Sequence, residues 1–410
     1  MIISPDWVFP VSSPPLRQHA IEIREGLIRE IRPARNQDAL LKNICILPGF
    51  VNAHTHLAYT RFRNAFDQLE FFPWIRRLTE AKKNATSDEI EQSTRQGIQE
   101  CLRAGITTVA DLSDLEISLR ALADSPLRAI YYWEIFGVEK EQAERSQTFL
   151  EQNFPAIRSR YESDRLQIGV SPHSCYTVRP ELFHWISNWA MRENAPVSFH
   201  LAESEAEEEF ISRRSGIIHD FLKIRASDWK IDSESSVSHV EKTGIFRTKP
   251  LVAHAVQASQ KDIEMLAHHA VSIAHCPKSN AKFAHGLAPL PKFIEAGIPV
   301  GLGTDSAASN NRLDLLEEAR FGLFQQRSAN RKTVFSEQQV LEMMTIGGAK
   351  AMGLDQQIGS IEIGKKADLI AIKLPEDFSE PSRVLNFLIY NCGIEHVIKT
   401  IIDGREIDLT

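Results

Sequence analysis

Apolar and polar residues alternate near both ends of the chain, whereas the middle switches between short apolar runs and longer stretches with helical spacing. Ala20-Ile21-Glu22-Ile23 and Gly26-Leu27-Ile28-Arg29-Glu30-Ile31 have the period of two expected of half-buried strands. Residues 359–372 read as strand, turn and strand, and residues 397–407 as a hairpin with Asp403-Gly404 at its turn. Chain termini often lie close together. Residues 1–47 and 359–410 are therefore expected to form one small β-sandwich domain.

Between these ends, eight apolar runs predict strands: 46–56, 107–112, 128–136, 166–171, 197–202, 251–255, 271–275 and 300–304. Helical patterns fall between them. One covers 87–104 and stops at Gly105, a favoured residue just past a helix C-terminus. Another starts at Ser336, which makes a capping-box pattern with Gln339, and runs to about Met352. Strands alternating with helices predict an α/β fold, a (β/α)8 TIM-type barrel over residues 48–358. A doubly wound open sheet is the alternative. It would place a Gly-rich phosphate loop after the first strand, where this chain has Asn52-Ala53-His54-Thr55-His56.

Composition narrows the function. The chain has 410 residues, 43% hydrophobic and 25% charged, the balance of a soluble globular protein. A net charge of −7 argues against nucleic acid or an anionic membrane surface as the main partner. The five cysteines are scattered without a CxxC pair, which suits a reducing cytoplasm and gives no thiolate metal site. The N-terminus lacks the basic and apolar regions of a signal peptide, and no apolar run reaches the ~20 residues needed to span a bilayer. A cytoplasmic protein with a small-molecule partner is expected.

The chemistry collects at strand ends. Residues i and i+2 of a strand face the same side, so His54 and His56 point together. The fourth strand runs into His173, the fifth into His200 and Glu203, the sixth into His254, the seventh into His275 and the eighth into Asp305. Singly, each has an ordinary reading: a core histidine, or a carboxylate near a helix N-terminus. The acidic run 203–209, Glu203 excepted, reads as a solvated helix face. Jointly, these residues would converge on the C-terminal mouth of a barrel, where such folds carry active sites.

The set resembles the amidohydrolase superfamily, in its branch of cytosine, guanine and adenosine-type deaminases and triazine chlorohydrolases. The similar segments are Pro48–His56, His200-Leu201-Ala202-Glu203, His254, His275-Cys276-Pro277-Lys278-Ser279-Asn280, 303–311 and 359–369. The resemblance implies one divalent ion, zinc or alternatively iron, held by His54, His56, His200 and Asp305. It further implies that His254 steers an attacking water, that Asp305 accepts its proton, and that Glu203 works as general acid–base. The fourth strand has no lysine of the kind that bridges two metals in other members, so a single ion is expected.

The pattern His-x-x-Glu after the fifth strand favours deamination of an aromatic N-heterocycle, because protonating the ring nitrogen makes the amine-bearing carbon electrophilic. Ser171–Thr177 resembles the segment in S-adenosylhomocysteine and methylthioadenosine deaminases whose histidine, here His173, holds the nucleoside or its tail. Residues 61–83 suggest a lid, in which Trp74 would stack, Glu80 would meet ribose hydroxyls and Arg77 a carboxylate; Ser309 is a further substrate-binding candidate. The stretch 72–78 most resembles the aminodeoxyfutalosine deaminases of the alternative menaquinone route. Competing readings are an adenosine-type deaminase, a triazine chlorohydrolase or amidase of the same branch, and a non-enzymatic scaffold, which would have lost the ligands present here. The resemblance also suggests a homo-oligomer.

Overall fold

The chain forms a (β/α)8 barrel whose strands are buried except at Gln167; the computed structural model describes residues 1–409. Four parallel strands, Phe50–Thr55, Ile106–Ser113, Arg128–Ile135 and Leu166–Pro172, make one half. Ser198–Leu201, Leu251–His254, Ser272–His275 and Val300–Leu302 make the other. The halves are not one continuous ladder. Isolated bridges join them at Val170–Val197 and Ser174–His200 on one seam and at Thr55–Asp305 on the other. Helices cover the outside, which explains why the strands read as apolar runs rather than alternating ones.

Strands from both chain ends share a second sheet. Its order is Arg405–Glu406, Val397–Ile402, Leu369–Lys373, Leu40–Pro48, Ile2–Val8, His19–Arg24 and Leu27–Pro33. The predicted hairpin is present: Asp403 (φ 48°) and Gly404 (φ 70°) both adopt the left-handed region that matches strand twist in a two-residue turn. Arg128, at the start of the third barrel strand, ties the sheet to the barrel. Its buried guanidinium donates to Asp368 at 2.8 Å and to Asp403 at 2.7 Å.

Three expectations need correction. The run 46–56 is two strands, separated at Gly49: Leu40–Pro48 belongs to the terminal sheet and Phe50–Thr55 to the barrel. A Cβ on Gly49 would stand 2.1 Å from Thr107 Oγ1, so the crossing is open only to glycine. The helix expected over 336–352 is split into Glu337–Met344 and Ile346–Ala351. Thr345 breaks it at φ −129°, ψ −99°, and the glycines that follow lie against Val300 and Val51 of the barrel. Of residues 359–372, only the part from Leu369 is a strand, in Leu369–Lys373; Gly359 (φ 86°) and Gly364 (φ 92°) turn the remainder into loop.

Candidate active site

The mouth of the barrel gathers His54, His56 and His200 so that one nitrogen of each lies within 4.8 Å of the others. The alternation of the first strand aims His54 and His56 inward, with ring centroids 5.0 Å apart. His56 Nδ1 bonds Leu112 O at 3.0 Å, and His200 Nδ1 bonds His173 O at 2.9 Å. Each Nδ1 therefore carries its proton, and each Nε2 is left with its lone pair facing the cluster. Both nitrogens of His54 are buried without a partner. Burial holds His54 well below its ordinary range, lowers His200, and brings His56 down to about 4. All three are neutral at pH 7, the form that ligates metal.

Asp305 closes the set. Its Oδ1 lies 3.6 Å from His56 Nε2 and 3.8 Å from His54 Nε2, and its Oδ2 accepts the Ser279 hydroxyl at 2.6 Å. The backbone there is left-handed (φ 55°). Three neutral imidazoles and one carboxylate, with buried and unpaired nitrogens, fit a divalent ion such as zinc or iron. A second group, Glu134, His173 and His200, is also close enough to share an ion. It competes for the same His200 nitrogen, because Nδ1 of that ring is already bonded, so it does not make an independent site.

Glu203 lies beside the cluster, 3.6 Å from His254 Nε2 and 3.5 Å from His285 Nε2. Burial alone would raise its carboxyl, but His254 and His285 outweigh that and hold it below the usual carboxylate range. His254 Nδ1 bonds Asn280 Oδ1 at 2.9 Å, which fixes its ring, and His254 itself adopts φ 73°. Glu207 corrects the reading of the acidic run as solvated. It is fully buried, and its carboxyl accepts from Ala202 N at 2.7 Å, Glu203 N at 3.1 Å and Cys175 Sγ at 3.3 Å. It thereby pins the turn that presents Glu203.

The other sequence candidates separate. His173 reaches the mouth, with its ring 4.7 Å from that of His200 and its Nδ1 2.9 Å from Thr177 Oγ1. Trp74 is buried on helix Phe71–Asn84 and packs 4.8 Å from Phe283. Phe71 of the same helix meets His285 edge-on at 4.5 Å, so an aromatic wall ends beside Glu203. Arg77 and Glu80 are not brought to the site. They pair with each other at 3.3 Å on the opposite face of that helix, with side chains 64% and 63% exposed. The apolar face packs inward through Trp74 and Leu78, which turns these two charges to solvent. Ser309 is buried, and its hydroxyl is engaged with Ser306 in the turn that caps Ala307–Asn310. His275 points outward: its Nε2 faces Gly322 of helix Leu315–Asn330.

Sequence reasoning assigned no role to Ser279, Asn280, His285, Glu207 or Glu134. Ser279 and Asn280 stand inside a segment already singled out. Glu134 had one legible signal, a lone carboxyl closing the apolar strand Arg128–Ile135. Glu207 had none, being one glutamate among several.

The amidohydrolase family profile matches residues 45–407. A 5-methylthioadenosine/S-adenosylhomocysteine deaminase from Syntrophobacter fumaroxidans is 31% identical over 94% of this chain and 85% of its own length. Among solved structures, a zinc-bound adenosine deaminase from Xanthomonas campestris superposes with a TM-score of 0.86 at 25% identity, covering 99% of this chain and 92% of its own. Aminofutalosine deaminase from Helicobacter pylori superposes with a TM-score of 0.84 at 24% identity, covering 99% of this chain and all of its own; at that identity it speaks to the fold alone. With its deaminase-like hydrolase architecture, the chain belongs to the amidohydrolase family.

Proposed function

We propose that the protein deaminates the adenine ring of a nucleoside substituted at its 5′ position, with one divalent ion, zinc in this reading, held by His54, His56, His200 and Asp305. The observation that carries it is the placement of Glu203 between His254 and His285, at the edge of the histidine cluster. When bound, the ion lowers the pKa of water and makes a strong nucleophile available near neutral pH. Asp305 accepts a proton from the attacking water. His254, its ring set by Asn280, orients that water. Glu203, ionised at the outset, takes the water's other proton and delivers it to the ring nitrogen beside the attacked carbon, and the proton held by Asp305 passes to the departing amine. Water is consumed, ammonia leaves, and the ring keeps the oxygen. The wall of Phe71, Trp74 and Phe283 covers this edge and keeps bulk water away.

The named relative with which the chain aligns acts on methylthioadenosine and S-adenosylhomocysteine, which supports an adenine nucleoside over guanine or a triazine. 6-Aminodeoxyfutalosine, an adenine nucleoside with a carboxyphenyl tail, is favoured by the likeness of the stretch around Trp74. Arg77 offers its carboxylate nothing from the solvent face. Ammonia release by metal-quantified protein from adenosine, methylthioadenosine, 5′-deoxyadenosine, 6-aminodeoxyfutalosine, guanine and a chlorotriazine tests the reading. At least one adenine nucleoside is expected to exceed guanine and the triazine by about 100-fold or more in kcat/KM. Dechlorination of the triazine as the fastest reaction would overturn it.

A further inference from the structure

Glu134 stands at the C-terminal end of the third barrel strand, with its side chain 2% exposed. Among the described residues its carboxyl has no hydrogen-bond partner; its nearest ionic partner is His173 Nε2, at 3.9 Å. Burial pushes its carboxyl up to about 8. Lys82, the cation that acts on it, is already engaged, pairing with Asp114 and donating to Tyr59 OH at 3.2 Å. Buried polar groups are ordinarily satisfied, and one left open at the mouth of an active site points to a ligand atom.

The chemistry of that atom can be narrowed. A second metal ion would need His200, whose nitrogens are committed to His173 O and to the first cluster. A substrate hydroxyl needs nothing more than is present. The carboxyl group accepts one or two O–H bonds, and His173 Nε2 supplies a second contact to the same sugar. Position agrees. The ring of His200 neighbours both His173 and His254, with centroids 4.7 and 5.5 Å away. Glu203 lies against His254 and Glu134 against His173, so the two carboxyl groups flank different neighbours of His200. A purine whose reacting edge meets Glu203 therefore directs its sugar toward Glu134.

We propose that Glu134 selects for the vicinal 2′,3′-hydroxyls of the substrate's sugar, with His173 beside it. The proposal rests on the adenine-nucleoside reading above. It makes Glu134 the residue that separates ribonucleosides from deoxynucleosides, the role that the sequence suggested for Glu80.

Adenosine, 2′-deoxyadenosine, 3′-deoxyadenosine and 2′,3′-dideoxyadenosine are compared on wild type, Glu134→Gln and Glu134→Ala, each with measured metal content and melting temperature. Wild type is expected to favour adenosine over the dideoxy analogue by about 100-fold or more in kcat/KM, as sites built to bind a hydroxyl do. Glu134→Ala should shrink that ratio to below about 10, with Glu134→Gln between the two. A ratio unchanged in the variants, even if all rates fall together, assigns Glu134 a merely structural part and overturns the proposal. So does a wild type indifferent to the hydroxyls, which decides the matter even where a variant fails to fold. If wild type releases no ammonia from any adenine nucleoside, the deaminase reading itself fails; if it does so and only the ratio stays fixed, the inference about Glu134 alone is lost.

Discussion

Glu203 is held in place through its own backbone: Glu207 takes the amides of Ala202 and Glu203 and the thiol of Cys175 on a single buried carboxyl group. Ala202 is left-handed (φ 50°), so the turn depends on those bonds. Glu207→Ala is expected to lower kcat by about 10- to 100-fold, the equivalent of a hydrogen bond to a charged group, while metal content stays at its wild-type level. Loss of metal in step with activity would mean that Glu207 supports the whole mouth rather than Glu203. Glu134 gives a pH prediction. Its folded-state value is raised to about 8 from an ordinary value near 4.5, so the folded state keeps a proton that the unfolded chain gives up. Stability from this group is intact below about pH 4.5 and is lost as pH rises toward 8. Glu134→Gln removes that loss, so its gain in thermal stability over wild type should grow between pH 5 and 8, to the order of a few kcal/mol. A difference that is flat with pH would contradict the burial. At this scale the histidines and carboxylates of the mouth were legible because residue type and strand end coincide, and the family resemblance singled out the four proposed ligands and Glu203 among them. Glu207 and Glu134 were not, since whether a glutamate is buried is decided by tertiary packing.

Among the elements, the barrel strands were legible as apolar runs, and their ends shift by only a few residues. Their junctions were not. Nothing in the run 46–56 announces that it serves two sheets, because apolar character is continuous across Gly49. The reason for that glycine lies 58 residues away in Thr107. Gly49→Ala should destabilise the protein by about 1–3 kcal/mol, the usual cost of overpacking. Removing the Thr107 hydroxyl and methyl in Gly49→Ala/Thr107→Ala should restore part of it, as contacting sites couple. Equal melting temperatures for the single and double variants would place the strain elsewhere. Helix Phe71–Asn84 shows the same division between local and tertiary information. Trp74, Arg77 and Glu80 were all expected at the site, but the buried face carries Trp74 and Leu78, and Arg77 and Glu80 fall on the other.

For the molecule as a whole, the site sits where the two half-barrels meet. The isolated bridges that join them involve Ser174 with His200 and Thr55 with Asp305, so two proposed ligands lie on the seams. Ligation there would draw the halves together. Away from the mouth, the terminal sheet is fastened through Arg128 to Asp368 and Asp403, a buried charge set that no local sequence pattern reveals. No helix among the described residues is long and apolar enough to cross a membrane. The proposed function makes this mouth a metal-dependent deaminase whose proton work falls to Glu203. The direct measurement is ammonia release from an adenine nucleoside by wild type and Glu203→Gln, each with its metal content determined. One divalent ion per chain is expected in both proteins, with a fall of about 10²- to 10⁴-fold in kcat for the variant, the span of a general acid–base group. A fully metallated wild type that releases no ammonia, or a Glu203→Gln variant as active as wild type, would contradict it.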